Sequence, residues 1–410
     1  MGITARGVSR AAAMTRRAKV ATRAGAARIA GLAGLAVMAI TVVTAVSLPA
    51  AAAPLDALLT ALPGHGADRA TLEISASRLN PLLGRPAAAS DAAPAAAAQP
   101  GDPTGDATQT PARTQTGDLR TLLLAGAVRV GAQTWLSASL GRQQIDNDAD
   151  TFVYRHWGLA GQYRFNEPAG AVPALALRLS AWGHRASSTA THSPVRVPGA
   201  ILDTVTIRAP SDRQLQADLI ATWLASPALD LSAQLGAGST RLAYGALAAT
   251  TTRNGCAYQL AFNGNDIFGT LAGPCSASGG VIKQFYDSSG GYGVNVAQEI
   301  AWHGHFVQAG ANAAWRSGPW SAQAGYLLHS VRRDAVDAIL AARGTPVIRQ
   351  NHSLVLASAY QISPHLDGLV RAQFSNKLFF DAIPVTYNSS TAARFGSHYS
   401  VLTLGLRARF

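Results

Sequence analysis

The residues from Ser397 to the end, SHYSVLTLGLRARF, decide the fold, because their side chains alternate as far as Phe410. Leu402, Leu404, Leu406, Ala408 and Phe410 share one face, and Tyr399, Val401, Thr403, Gly405, Arg407 and Arg409 share the other. An extended strand shows successive side chains to opposite sides. One face of this stretch asks for hydrocarbon and the other is mostly small or polar, the division that a closed barrel in a lipid bilayer requires.

The chain before it can be read for strands that would close onto this one. Ala70 to Leu79, ATLEISASRL, is the first and weakest. Asp118–Val130 and Gln133–Gln144 flank a tight Gly131-Ala132 turn, and Thr151–Phe165 follows a polar loop at Ile145–Asp150. Pro173–Arg185, Arg213–Ala225 and Leu229–Ala243 set Leu and Ala against Gln, Ser, Arg and Asp in strict alternation. Gly293–Arg316 reads as one long strand with a bulge at His303-Gly304-His305, since a hairpin there would give thirteen strands. Trp320–Val331, His352–Ile362, Leu366–Ser375 and the terminal stretch bring the count to twelve.

Connections alternate long and short. Ala186–Asp212, Tyr244 to about Gly290, Arg332–Arg349 and Asn376–Gly396 are long, while Ser226-Pro-Ala, Ser317-Gly-Pro and Ser363-Pro-His are tight. The expectation is an all-β, transmembrane antiparallel β-barrel of about twelve strands over 70–410, with both termini on the short-turn side. A soluble β-sandwich also alternates, but it lacks a use for an export signal and for aromatic strand ends.

With 410 residues, 48% hydrophobic and 14% charged, the chain is long enough for a sizeable fold. It has no apolar run of helix-spanning length after residue 50, which excludes a multi-helix membrane protein. Residues 1–52 run from an Arg-rich start through GLAGLAVMAITVVTAV to Pro49-Ala50-Ala51-Ala52, the pattern of a cleavable signal peptide, with an uncleaved anchor helix as the alternative. Without that segment the chain shows no concentrated basic stretch, so nucleic acid is not expected as a partner. Residues 53–69 read as a periplasmic lead-in, or as a small plug formed by 54–62. The Ala/Pro/Asp/Thr/Gln-rich stretch 81–116 has too few large apolar residues to pack and reads as a disordered loop. Cys256 and Cys275 lie in one long loop of an exported chain, as expected for a disulfide.

A final strand ending on Phe410 resembles the C-terminal strand that Gram-negative outer-membrane β-barrel proteins present to their assembly machinery. The resemblance implies an outer-membrane location, with that machinery and the outer-membrane lipid as partners. His398-Tyr399-Ser400 resembles the His-x-Ser of the outer-membrane phospholipase A family, twelve-stranded barrels with a calcium-assisted Ser-His-Asn site. It would set His398 and Ser400 on the lipid-facing side near the outer rim, and a His beside a Ser is what activates a hydroxyl nucleophile. The surrounding residues do not follow that family, and the motif does not place its Asn. An autotransporter would share the strand count and the terminal Phe but needs a large passenger before the barrel.

Inward-facing positions expected to line the lumen are Arg164, Arg178, Gln216, Asp218, Gln234, Asn312, Asp367, Arg371, Arg407 and Arg409, together with Ser137, Ser139, Gln143, Gln162, Gln214, Gln308, Gln323 and Gln373. Such a wall can line water and pass small solutes. It can equally be filled by pairs such as Arg178 with Asp218 and Asp367 with Arg371. His303 and His305 share a face, but a two-His site is open and no metal is expected. No cofactor motif is present, and the expectation is a passive pore or small-solute transporter and not an enzyme, with a barrel whose outside loops bind a partner, one whose rim hydrolyses lipid, or an autotransporter-type translocator as the alternatives.

Overall fold

The computed structural model describes residues 69–79, 118–147, 150–192, 195–197, 200–273, 275, 281–292, 295–377, 383–389 and 391–410. The signal peptide read at 1–52, the plug read at 54–62 and the polar stretch read at 81–116 lie outside them. In chain order the strands are β1 (Ala70–Leu79), β2 (Leu119–Arg129), β3 (Thr134–Asn147), β4 (Asp150–Arg164), β5 (Ala174–Arg185), β6 (Ser188–Thr191), β7 (Val195–Val197), β8 (Ala200–Leu202), β9 (Thr204–Arg208) and β10 (Ser211–Ser226). They continue as β11 (Leu229–Ala243), β12 (Ala246–Arg253), β13 (Cys256–Asn263), β14 (Asp266–Leu271), β15 (Gln284–Ser288), β16 (His303–Ser317), β17 (Trp320–Arg333), β18 (Gln350–Ser363), β19 (Leu366–Ser375) and β20 (Tyr399–Arg409). Two short helices, α1 (Val296–Ile300) and α2 (Val336–Ala342), lie in the long connections.

Twelve strands close a barrel in the order β1-β2-β3-β4-β5-β10-β11-β16-β17-β18-β19-β20. The closing seam pairs β20 with β1, Leu404 opposite Ala76 and Leu406 opposite Ile74. Closure leaves no open edge, so every strand can satisfy its main-chain groups without water. The outward face carries exposed leucines on strand after strand, with Leu179, Leu215, Leu235 and Leu404 all more than half exposed. At the short-turn end it finishes in aromatic residues: Phe165, Trp315, Trp320, Tyr360 and Phe410. Gly318 holds the Ser317–Trp320 turn at φ +55, a conformation that favours glycine.

Three boundaries differ from the sequence reading. The eighth barrel strand begins at His303 and not at Gly293, and its register with β11 and β17 is unbroken, so there is no bulge at His303–His305. The residues before it form α1, which Asn295 caps by accepting the Gln298 N–H. The loop read at Ile145–Asp150 is strand for most of its length, because β3 and β4 pair as far as Asn147 and Asp150.

The connections that follow β5 and β11 are not plain loops. They build a second sheet, ordered β15-β14-β13-β12-β9-β6, with a core of Ala249, Cys256, Tyr258, Leu260 and Ile267. Alternation in these segments was masked by their short length and by turns at positive-φ Asn254, Gly255 and Gly264. Cys256 and Cys275 are bonded, as expected, with Cα atoms 4.3 Å apart. Closing a ring of this length typically stabilises by about 3 kcal/mol. A thiol assay on denatured, unreduced protein is therefore expected to find no free cysteine, and two reactive thiols would refute the bond.

Candidate functional site

The site is the barrel lumen, and its inward side chains fall into three layers. The alternation that turns Leu outward turns the other parity inward. What those residues meet depends on how far along the strand they stand.

At the long-loop end the lumen is stoppered. The connection between β19 and β20 carries Ile383, Tyr387, Ala392 and Phe395 inward, each buried, against Trp182, Trp302, Phe306, Val331, Tyr399 and Val401 of the wall. Pro384 opens a short 3-10 turn, and Asn388 and Thr391 trade main-chain and side-chain hydrogen bonds that shape the rest. Trp302 Nε1 donates to the Tyr387 carbonyl at 2.9 Å. The Arg333 guanidinium lies 3.7 Å over the Tyr387 ring and donates to the Ile348 carbonyl. On the other side Asp212, itself buried, accepts the Val385 N–H at 3.1 Å and stands 3.0 Å from His184 Nδ1. His184 Nε2 in turn is 3.2 Å from His156 Nδ1.

Above the stopper, α1 and α2 are tied by Arg343, which donates to Glu299 at 2.6 and 2.8 Å. Burial alone would push the Glu299 carboxyl up. Hydrogen bonds from Arg343, Ser389 and the Asn295 main chain outweigh it and hold the group below its ordinary value.

The middle layer is polar and packed. Asp218 is fully buried, accepts from Gln216 Nε2 at 2.7 and 2.8 Å and from Gln308 Nε2 at 2.9 Å, and is the register partner of Arg178. Gly236, opposite Asp218 on β11, leaves the space that the carboxylate fills, since a Cβ there would meet Oδ1 at 2.1 Å. Gln162, Gln214, Gln234 and Asn312 are buried in the same layer. Of the two arrangements the sequence leaves open, a wall lining water and an interior of paired side chains, the β4–β16 side of the barrel shows buried polar side chains packed beside one another. Their contacts run along one strand or between near neighbours, Gln216 with Asp218 on β10 and Gln308 of β16 reaching Asp218 past the space left at Gly236.

At the short-turn end the wall of β19, β20 and β1 is charged and partly solvated. Arg407 donates to Glu73 at 2.8 Å, Arg371 stands 3.8 Å from the same carboxylate, and Arg409 pairs with Asp367 at 2.9 Å. The pairing expected between Asp367 and Arg371 is thus replaced. Arg409 is the next inward residue along from Asp367's register partner Arg407, while Arg371 reaches across to β1. Arg164 pairs with Glu167 at the adjoining turn.

Some functional residues were missed in the sequence. Glu73 lies between outward Leu72 and Ile74, so alternation alone assigns it inward. The large apolar residues of the last long connection were a signal as well, since an exposed loop has little use for Ile383, Tyr387 and Phe395. Asp212, His184 and His156 come together only through strand register. Of the His398-Tyr399-Ser400 stretch, His398 is exposed, but Ser400 is buried and not open on the lipid-facing rim. His303 and His305 face outward, and no group of three or more metal-ligating side chains occurs among the described residues.

A closed twelve-strand barrel with an apolar outside and a polar inside is a transmembrane β-barrel. No protein-family model matches the chain, and no curated protein matches its sequence. Among solved structures it is similar to the translocator domain of the autotransporter NalP from Neisseria meningitidis, at 11% identity and a TM-score of 0.45, covering 87% of this chain and 93% of that one. It is similar also to the NanC porin, at 7% identity and a TM-score of 0.38 over 83% of this chain and 100% of that one. The toluene transporter TbuX of Ralstonia pickettii matches at 10% identity and a TM-score of 0.36, over 86% and 93% of the two chains.

Proposed function

We propose that the chain is an outer-membrane barrel of the Gram-negative type, acting as a passive pore or small-solute transporter whose long-loop end is closed in this structure by the Ile383–Phe395 segment. The observation that carries this reading is the charged and partly solvated wall at the short-turn end. Glu73, Arg371, Arg407 and Arg409 keep part of their surface open to water inside the barrel, which a wholly filled interior would not need. The export signal read at 1–52 and the terminal Phe410 support delivery to the outer membrane and handling there by the barrel-assembly machinery. Hydrolysis is not part of the reading, since a buried Ser400 hydroxyl beside an exposed His398 does not favour attack on a lipid.

Single-channel recording of the refolded chain tests it. Discrete conductance steps are expected, rare in the wild type because the stopper closes one end. Arg407→Glu with Arg409→Glu should move the ion preference of those steps toward cations, because both charges stand where ions pass. Unchanged selectivity in the double variant would take these arginines out of the path.

A second reading is supported by the disulfide-linked outer sheet. Phe268 and Tyr286 stack edge-on at 5.2 Å on its exposed face, which suits binding of a partner outside the membrane. A barrel that binds a partner and never conducts would separate the two.

A further inference from the structure

Above the leucine belt, the outward face of the barrel carries a girdle of basic side chains. Arg142 on β3, Arg155 on β4, Arg185 on β5, Arg213 on β10, Arg241 on β11 and Arg332 on β17 are all exposed and share the parity of the outward leucines of their own strands. Register sets them side by side. Arg142 is the direct partner of Arg155, Arg155 of Arg185, and Arg213 of Arg241. Arg241 then faces His303, and His305 faces Arg332; between β5 and β10, Arg185 faces Ser211 and Arg213 faces Gly183, so these two arginines are diagonal neighbours, and the girdle spans seven neighbouring strands.

Like charges placed directly opposite in a sheet destabilise it. Here three such arginine pairs occur, and none of the six arginines has an ion-pair partner among the described residues. Asp146, on the same face of β3 beyond Arg142, is taken by Gln144 and Thr151. Asp334 follows Arg332 just past the end of β17. By contrast Arg78 and Arg120, on the two strands before the girdle, both pair with Asp118.

The height of the girdle is also regular. Arg155 stands ten residues from Phe165, Arg213 ten from Trp223, and His305 ten from Trp315, each of these aromatics being at the short-turn edge. Ten residues at about 3.3 Å each, tilted by about 40°, rise about 25 Å, the height of an apolar band in such barrels. The girdle therefore sits where the headgroups of the leaflet on the long-loop side begin. Trp157 lies among Arg155, Arg185 and Arg213, its indole nitrogen across Gly183, as suits an aromatic ring at a membrane interface.

We propose that this girdle binds the phosphate groups of anionic lipid in the leaflet on the long-loop side. A guanidinium offers two parallel N–H donors that match phosphate oxygens, and one phosphate between two facing arginines would turn their repulsion into attraction. The inference rests on membrane insertion and not on conduction, so a barrel that never conducts leaves it standing.

The test uses the full chain, folded in neutral detergent, with two lipids of the same acyl chains, phosphatidic acid and phosphatidylcholine. Native mass spectrometry is expected to show phosphatidic acid retained in preference by the wild type. Arg155→Gln/Arg185→Gln/Arg213→Gln should weaken that retention by about a hundredfold, taking each arginine near an anionic surface as worth about fivefold. Arg208→Gln/Arg253→Gln/Lys283→Gln, which removes three charges from the outer sheet, should leave it unchanged. Folding of each variant is checked by heat-dependent mobility, and the comparison of the two lipids on the wild type needs no variant. Equal retention of both lipids, or equal losses in the two triple variants, would overturn the proposal. Displacement of phosphatidic acid by excess inorganic phosphate would assign the girdle to the free ion and overturn it as well.

Discussion

Leu404→Arg is expected to keep the chain from reaching a heat-resistant folded form, whereas Thr403→Arg, one residue away, is expected to fold. Leu404 is 56% exposed on the outer wall, between Ala76 of β1 and Val370 of β19, and lies midway along the outward face of β20. An arginine on the lipid face near the bilayer midplane costs about 2 to 4 kcal/mol. It would stand at the seam where β20 must find β1 to close the barrel, so the loss falls on the last step of assembly. Thr403 turns inward and shares a hydrogen bond of 2.8 Å with Ser77. Replacing it loses that bond and sets a cation opposite Arg371, each about 1 kcal/mol, while Glu73 stands on the same inner wall. Mobility in unheated gels reads both variants. Equal folding of the two would mean that β20 is not embedded with Leu404 toward lipid.

The second large effect concerns the stopper. Ile383→Ala/Tyr387→Ala/Phe395→Ala should turn a largely closed barrel into a conducting one. Each of these side chains is buried against the wall, and truncating a buried aromatic costs about 3 to 5 kcal/mol. Strand pairing is untouched, so the loss falls on docking of the segment and not on the barrel. Even 3 kcal/mol shifts a docked segment toward the released state by about a hundredfold. Asp212→Ala should act in the same direction and more weakly, because it removes one hydrogen bond from Val385 and leaves His184 without its carboxylate. Open probability in planar bilayers is the readout. A folded triple variant as silent as the wild type would show that the closure lies elsewhere.

The two experiments separate assembly from gating. Leu404→Arg acts on the outer face and on folding, and the stopper variant acts on the inner face of a barrel already closed. A wild type that conducts freely would leave the first result intact and remove the reason for the second.

How much of this was legible in the chain follows from the range of the interactions. A strand's division into two faces is set by its own residues, so the twelve strands, their alternation of short and long connections, the lipid side of β20 and the inward side of Arg407 and Arg409 could all be read locally. The disulfide was legible because exported cysteines close in sequence have few other partners. Pairing was not. Whether Asp367 meets Arg371 or Arg409, and whether Glu73 draws in Arg407, depends on the register of three strands and on closing the seam between the first and the last. Five of the girdle's arginines lie in stretches the sequence marks as strands, while Arg332 falls in the connection read from Arg332 to Arg349 and joins a strand only because β17 runs on to Arg333. Only the stagger of neighbouring strands brings them to one height, and stagger belongs to the closed barrel and not to any strand in it. The stopper is the clearest case. Ile383, Tyr387 and Phe395 sit in a connection with no period to read, and their place inside the mouth is decided by an apolar ring that Trp182 of β5, Phe306 of β16, Val401 of β20 and Trp302 just before β16 assemble from distant parts of the chain.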